Sequence, residues 1–324
     1  MTLRFRCLLL LVAPAFAYAF VQAHRVIPAS SDARPAHVTI KALRGGVVAA
    51  ALPTVPALAA TSLLPTCLGL WKTGYAVSYG YGGAMFAAGT LMLRCELNLL
   101  ARAHALALCF YGLRLNLFLL YRELFLPVEV HQMKQRDASL SDRLKRLPVI
   151  VGCSFLYYCM AAPLRITALA TWPVDHGGSS VAAAVALAFV GFAVAALGDV
   201  FKTVVKAKKG PGHLVTGGPF RWLRHPNYTG EIFGWSASAI AALLLAALQP
   251  SGSTFLRSFA PWILASLVGW AGIFGVLAGE ATAGLEKKQR ERYGGTPEYE
   301  AWVTSSWAGP MVSAPQSGAR ASEE

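Results

Sequence analysis

An all-α, polytopic transmembrane helical bundle of six or seven helices, with short interfacial helices at its C-terminus, is the fold that this sequence of 324 residues predicts. Three observations carry that expectation. Hydrophobic residues make up 55% of the chain and charged residues only 14%, against about 25% charged in a soluble domain. The apolar residues gather into runs long enough to cross a hydrocarbon core of about 30 Å, and the mean hydropathy is +0.48. The cations, which give a formal net charge of +13, stand in short patches between those runs. Such patches set topology, face anionic headgroups or bind an anionic cofactor. Composition therefore argues for contact with membrane lipids and against a soluble enzyme, a disordered scaffold or a nucleic-acid partner.

Residues 1–19 read as a secretory signal peptide. Arg4 and Arg6 form the basic start, residues 7–16 a short apolar run, and Ala17-Tyr18-Ala19 an A-x-A cleavage site. Residues 20–45 begin with Phe20 and contain Arg25, Arg34, Lys41 and Arg44, two serines and a single acid, Asp32. That segment is transit-peptide-like, and the combination resembles the bipartite presequence of algae with complex plastids. It implies a plastid membrane reached through the secretory pathway; the alternative is an ordinary signal leading to the ER membrane.

The apolar runs then follow in order. Residues 46–70 are interrupted by Pro53, Pro56 and Pro65, which leaves their spanning open. Residues 75–93 form a Gly/Ala-rich span, and residues 97–121 an apolar one that carries Arg102, His104 and Arg114. Residues 148–170, 181–201, 229–248 and 259–279 are four clearer spans. The membrane domain occupies 75–310. The chain after Ser305 reads as disordered, and 311–324 as a free tail.

The connections set the orientation. Residues 122–146 hold Arg122, Lys134, Arg136, Arg143, Lys145 and Arg146. Residues 202–224 hold Lys202, Lys206, Lys208, Lys209, Arg221 and Arg224, and the C-terminal segment Lys287, Lys288, Arg290 and Arg292. The turns 171–180 and 249–258 hold no base and one, Arg257. The three basic connections, each two helices from the next, belong on one side of the membrane. The six cysteines include no CxxC pair and no His at ligand spacing, so neither a disulfide framework nor a metal site is expected.

The chemistry concentrates in residues 198–235. Asp199 ends a membrane helix, and Asp199, Lys202 and Lys206 share one face at i, i+3 and i+7. A Gly/Pro-rich linker follows, whose backbone can approach a ligand closely. Pro226 starts the next helix, with His225 near its N-cap and free N–H groups at a positive helix end. Asn227 and Glu231 lie on one face of that helix, and an intramembrane carboxylate is costly enough to mark a functional group. Gly230 and Gly234 form a small-residue stripe for close helix packing. A purely structural alternative makes Arg221, Arg224 and His225 interface anchors and pairs Glu231 with a neighbouring Arg. Near the C-terminus, Thr296 is an N-cap with Pro297 at N1, and Tyr299 and Trp302 share one face of the short helix that follows.

The string Arg224-His225-Pro226-Asn227-Tyr228-Thr229-Gly230-Glu231 resembles the signature of the steroid 5-alpha-reductase C-terminal domain superfamily, and more narrowly its bacterial and algal branch. Tyr111-Gly112-Leu113-Arg114-Leu115 upstream, and Leu285-Glu286-Lys287-Lys288 with Pro297-Glu298-Tyr299-Glu300-Ala301-Trp302 downstream, extend the likeness over roughly residues 75–310. The resemblance implies an integral membrane oxidoreductase that reduces an activated C=C bond of a lipid-soluble substrate with NADPH. By that resemblance, Asp199, Lys206, Asn227 and Glu231 line the cofactor pocket, joined by Lys202, Arg224, His225 and Tyr228, and Tyr111 is the proton donor to the enone carbonyl. Tyr111 also reads as a helix-packing tyrosine; Glu96 is the upstream carboxylate placed to partner it. Lys206 stands where those reductases have Arg, and Glu280 and Gly284 replace a His and a Tyr. Isoprenylcysteine carboxyl methyltransferases share the Arg-His-Pro-x-Tyr element, so the alternatives are an S-adenosylmethionine-dependent membrane methyltransferase and a non-catalytic membrane binding protein.

Overall fold

The structure is a computed structural model, and it describes residues 52–125, 140–170, 177–249 and 253–310. The expected signal peptide, the transit-peptide-like segment and the tail 311–324 lie outside the described residues. Among the described residues the regular structure is all helical, with one isolated backbone bridge between Leu223 and Trp307.

Helix α1, Val55–Thr66, starts where the Thr54 hydroxyl accepts from Ala57 N–H, and a 3-10 turn, Cys67–Leu70, extends it. Two pieces follow, α2 (Thr73–Val77) and α3 (Tyr79–Leu93). The run 75–93 expected as one span is thus broken at Ser78, and 15 residues cover only about 22 Å. Helix α4 is Leu99–Phe125, α5 the short Leu140–Leu144, α6 Leu147–Leu169, and α7 Gly177–Lys209. A 3-10 turn at Gly218–Arg221 leads to α8, Pro226–Ala247, which begins at Pro226 as its φ preference dictates. Helix α9 (Ser253–Phe274) runs through a π-helical turn, Gly275–Ala281, into α10 (Thr282–Tyr293) and then α11 (Pro297–Ser305). Among the described residues five helical stretches are long and apolar enough to cross a membrane, and Val55–Leu70 is a shorter apolar one. The protein is an integral, multi-pass helical membrane protein.

Small residues set the closest helix contacts. A Cβ on Gly191 of α7 would lie 2.4 Å from the Gly234 nitrogen, and one on Gly230 of α8 would lie 2.5 Å from the Ala195 nitrogen. Backbone meets backbone there, and the Gly230–Gly234 stripe is what allows it. At the helix ends, Lys72 donates to the Tyr75 hydroxyl at 2.9 Å and to Glu123 at 3.3 Å, and Tyr79 donates to Glu123 at 2.9 Å. The Tyr75 bond, ahead of Glu123, holds the Lys72 ammonium above its ordinary pKa.

The C-terminal strap forms a second, smaller core. Leu214, Val215 and Phe220 of the α7–α8 connection pack with Tyr299 and Trp302 of α11, and Trp302 Nε1 donates to the Phe220 carbonyl at 2.6 Å. Burial pushes the Tyr299 hydroxyl above its ordinary range. Two of the three basic segments therefore share one side of the bundle. The chain after Ser305, expected to be disordered, continues this packing: Trp307 N–H donates to the Trp222 carbonyl at 2.9 Å and its own carbonyl accepts from Arg224 N–H at 2.8 Å. Those paired backbone groups hold residues 306–310 in place, as Ala308 and Gly309 are buried.

Candidate functional site

Four helices bring a polar cluster together inside the bundle. On α4, Tyr111 and Arg114 are three residues apart and share a face, with the guanidinium carbon 4.7 Å from the tyrosine ring centroid. Arg114 Nη1 donates to Asp199 Oδ2 of α7 at 2.8 Å, and Nη2 to Glu231 Oε1 of α8 at 3.4 Å. The other Glu231 oxygen accepts from Tyr111 at 2.8 Å and from Tyr81 of α3 at 3.4 Å. Both Arg114 and Glu231 are buried. One guanidinium thus holds two carboxylates, and Lys202 and Arg122 add positive potential at Asp199. Buried charges survive only when paired and hydrogen-bonded in this way. Arg114 Nε has no hydrogen-bond partner among the described residues.

Aromatic rings wall the cluster. Trp235, one turn beyond Glu231 on α8, packs against Tyr111, Tyr81 and Phe192 at centroid distances of 4.9, 6.1 and 4.8 Å. Tyr157 of α6 stacks on Tyr81 at 5.1 Å. These groups are buried, so aromatic rings pack closely around the Glu231 carboxylate.

The remaining site residues divide into two groups. Arg224 and His225 face the C-terminal strap. Arg224 Nε donates to Glu286 Oε1 at 2.9 Å, and Nη1 to the carbonyls of Val303 and Ser306 at 2.8 and 2.5 Å. His225 Nε2 lies 2.6 Å from the same Glu286 oxygen, so its side chain does not cap α8. Asn227 and Tyr228 occupy the first turn of α8, half-buried, and the Asn227 backbone abuts Gly198 beside Asp199. Lys206 is half-buried and donates to the Pro211 carbonyl at 3.1 Å, within the Gly/Pro linker. Asp199, Asn227, Tyr228 and Glu231 are thereby neighbours, while Arg224 and His225 belong to a separate clasp.

Sequence reasoning passed over Arg114, Tyr81, Tyr157 and Trp235 as site residues. A guanidinium inside an apolar run was the available signal for Arg114. Glu96, expected beside Tyr111, is exposed in the connection ahead of α4, and Glu231 takes that place instead. Among the described residues no His, Cys, Asp and Glu side chains gather as a metal site.

Fold and site define a class: a polytopic helical membrane protein whose bundle encloses an Arg–carboxylate–tyrosine cluster beneath a basic rim. The chain belongs to the family described as "Protein of unknown function (DUF1295)", which matches residues 76–305. No curated protein and no solved structure matches it.

Proposed function

We propose that this protein reduces an activated C=C bond of a lipid-soluble substrate with hydride from NADPH. The observation that supports this reading best is the Tyr111–Glu231–Arg114 network: a phenol held by a carboxylate and a guanidinium inside a membrane bundle. Three such groups are costly there unless they act. The resemblance of residues 224–231 to the steroid 5-alpha-reductase signature points the same way.

The residues fit a dinucleotide in part. Asn227 and Tyr228 have side chains without a hydrogen-bond partner among the described residues, next to Asp199. Lys202, Lys206 and Arg122 are suited to phosphates, and Asp199 and Asn227 to ribose hydroxyls or an amide. Arg224 and His225 fit less directly, since Glu286 and the strap carbonyls engage their side chains. Their part is to hold the strap over the α7–α8 connection. NADPH, when bound, supplies the hydride.

The protein's own groups do the rest. With substrate bound, the Tyr111 hydroxyl turns its one proton from Glu231 to the substrate carbonyl and gives it to the enolate that hydride addition forms. Arg114, over the tyrosine ring, stabilises the tyrosinate left behind. Tyr81, Trp235 and Phe192 keep water from the reacting atoms. The test is thermal protection of the detergent-solubilised protein by NADPH, NADH and S-adenosylmethionine. Protection by NADPH supports the reductase. Protection by S-adenosylmethionine alone makes the protein a methyltransferase, and protection by none of the three makes it a non-catalytic membrane binding protein.

A further inference from the structure

Arg165 stands four residues before the end of α6, at the end of the bundle away from the basic connection that precedes that helix. Topology gives it no role there, since Lys and Arg orient a chain from the opposite side. Arg94, Arg102 and Arg257 at the same end are exposed, whereas Arg165 is half-buried. Its guanidinium carbon lies 5.4 Å from the ring centroid of Trp262 on α9, and Nη1 donates to the Pro53 carbonyl at 2.5 Å. Among the described residues no carboxylate pairs with it, and its buried Nε has no hydrogen-bond partner. A cation inside a membrane helix without a counter-ion marks a ligand position.

Two more donors stand beside it. Tyr158, seven residues earlier, shares the Arg165 face of α6, and its ring centroid lies 6.2 Å from that of Trp262. Neither the Tyr158 hydroxyl nor the Trp262 indole N–H has a hydrogen-bond partner among the described residues. All three side chains are half-buried, so each keeps some surface open on the outside of the bundle. A close helix contact fixes their placement: a Cβ on Gly269 of α9 would lie 2.4 Å from the Cys159 carbonyl carbon. Arg165 is six residues beyond Cys159, and Trp262 is seven before Gly269 on the antiparallel helix. Both therefore reach the same depth, about 10 Å from that contact. Further along the same face of α6, Phe155 and Val151 are exposed and apolar.

We infer that Arg165, Trp262 and Tyr158 form a binding site for one anionic phospholipid in the leaflet opposite the basic rim, with its phosphate at Arg165 and an acyl chain along Phe155 and Val151. The donor set decides the sign of the ligand. A guanidinium, an indole and a phenol offer donors with no competing carboxylate, and a phosphate supplies several acceptor oxygens that match the Arg fork. The position decides for a lipid over a soluble anion. The site lies on the outer surface of two membrane-spanning helices, and a free phosphate would have to leave water to reach it. This site is separate from the Tyr111–Glu231 cluster and does not depend on the reductase reading.

The full chain, purified in detergent and stripped of lipid, is titrated with phosphatidylglycerol, phosphatidylcholine and inorganic phosphate, and bound molecules are counted by native mass spectrometry. Wild type should hold one phosphatidylglycerol roughly tenfold more tightly than phosphatidylcholine, and inorganic phosphate should not displace it. Arg165→Gln should lose that lipid. Lys287→Ala combined with Lys288→Ala, on the basic side, should keep it. A second measurement uses wild type alone: phosphatidylglycerol with a photoreactive group beside its phosphate should label residues 158–165 or Trp262. Equal binding of the two lipids, displacement by inorganic phosphate, or a tight lipid retained in Arg165→Gln overturns the inference. Labelling confined to the basic segments 202–224 and 281–293 overturns it as well.

Discussion

Tyr111 and Glu231, 120 residues apart in the chain, meet at 2.8 Å inside the bundle. The contact depends on a third helix. Gly191 of α7 lets α8 approach to backbone distance, which sets Glu231 at the depth where Tyr111 and Arg114 of α4 reach it. The small-residue stripe and the polar cluster are therefore one construction, in which packing delivers the carboxylate and the ion pairs hold it.

Removal of the guanidinium should be severe. Arg114→Met leaves Glu231 buried without a cation and takes from the half-buried Asp199 its nearest one, at a cost of about 3–5 kcal/mol. Adding Asp199→Asn and Glu231→Gln to the same chain should recover much of that loss, because amides leave no unpaired charge. Thermal unfolding in detergent measures both. A single Arg114→Met with wild-type stability contradicts the three-group network.

Backbone contact between α7 and α8 makes Gly230 intolerant of any side chain. Gly230→Ala places a Cβ 2.5 Å from the Ala195 nitrogen and should cost at least about 1–3 kcal/mol by overpacking. Gly152→Ala is the matched control: it faces open space on α6 and should leave the unfolding temperature unchanged. Equal effects of the two substitutions would mean that α7 and α8 do not touch as described.

Glu286 ties Arg224 and His225 to the strap, and its loss should free the strap while the bundle stays folded. In Glu286→Ala, tryptic cleavage at Lys287, Lys288, Arg290 and Arg292 should run several-fold faster than in wild type, with helices α4 to α8 still protected. Unchanged cleavage would show that the strap is held by its apolar contacts with Phe220 and Trp302.

Much of this architecture is legible along the chain. Pro226 and Thr296 mark helix starts where the structure has them, and the Gly230–Gly234 stripe marks a close contact. These are local signals, set by φ preference, capping and side-chain size. The break at Ser78 is less legible, because apolar composition continues across it while the helix does not. Partner choice across helices is not legible. Periodicity places Arg114 and Tyr111 on one face of α4 but says nothing of Asp199 or Glu231 opposite. The same gap covers Arg224 and His225, which neighbour the site residues in sequence but turn their side chains to Glu286.

Under the proposed reductase function, Lys206 should discriminate between the two nicotinamide nucleotides. If it and its neighbours hold the 2′-phosphate, Lys206→Ala loses a charge-assisted hydrogen bond of about 1.5–3 kcal/mol, roughly ten- to a hundredfold in NADPH affinity. NADH affinity should hardly change. Glu231→Gln, in contrast, should weaken both dinucleotides. Isothermal titration of the three proteins checks this, and equal losses for NADPH and NADH in Lys206→Ala would remove the phosphate assignment.

The most direct measurement follows an isotope. Native membranes containing the protein are incubated with NADPH deuterated at C4, and in parallel with S-adenosylmethionine carrying a deuterated methyl group. Lipid extracts are then read by mass spectrometry. A lipid should gain one deuterium from NADPH together with one proton, and the product should be lost in Tyr111→Phe. Transfer of the labelled methyl group, with no deuterium from NADPH, would rule out the reductase.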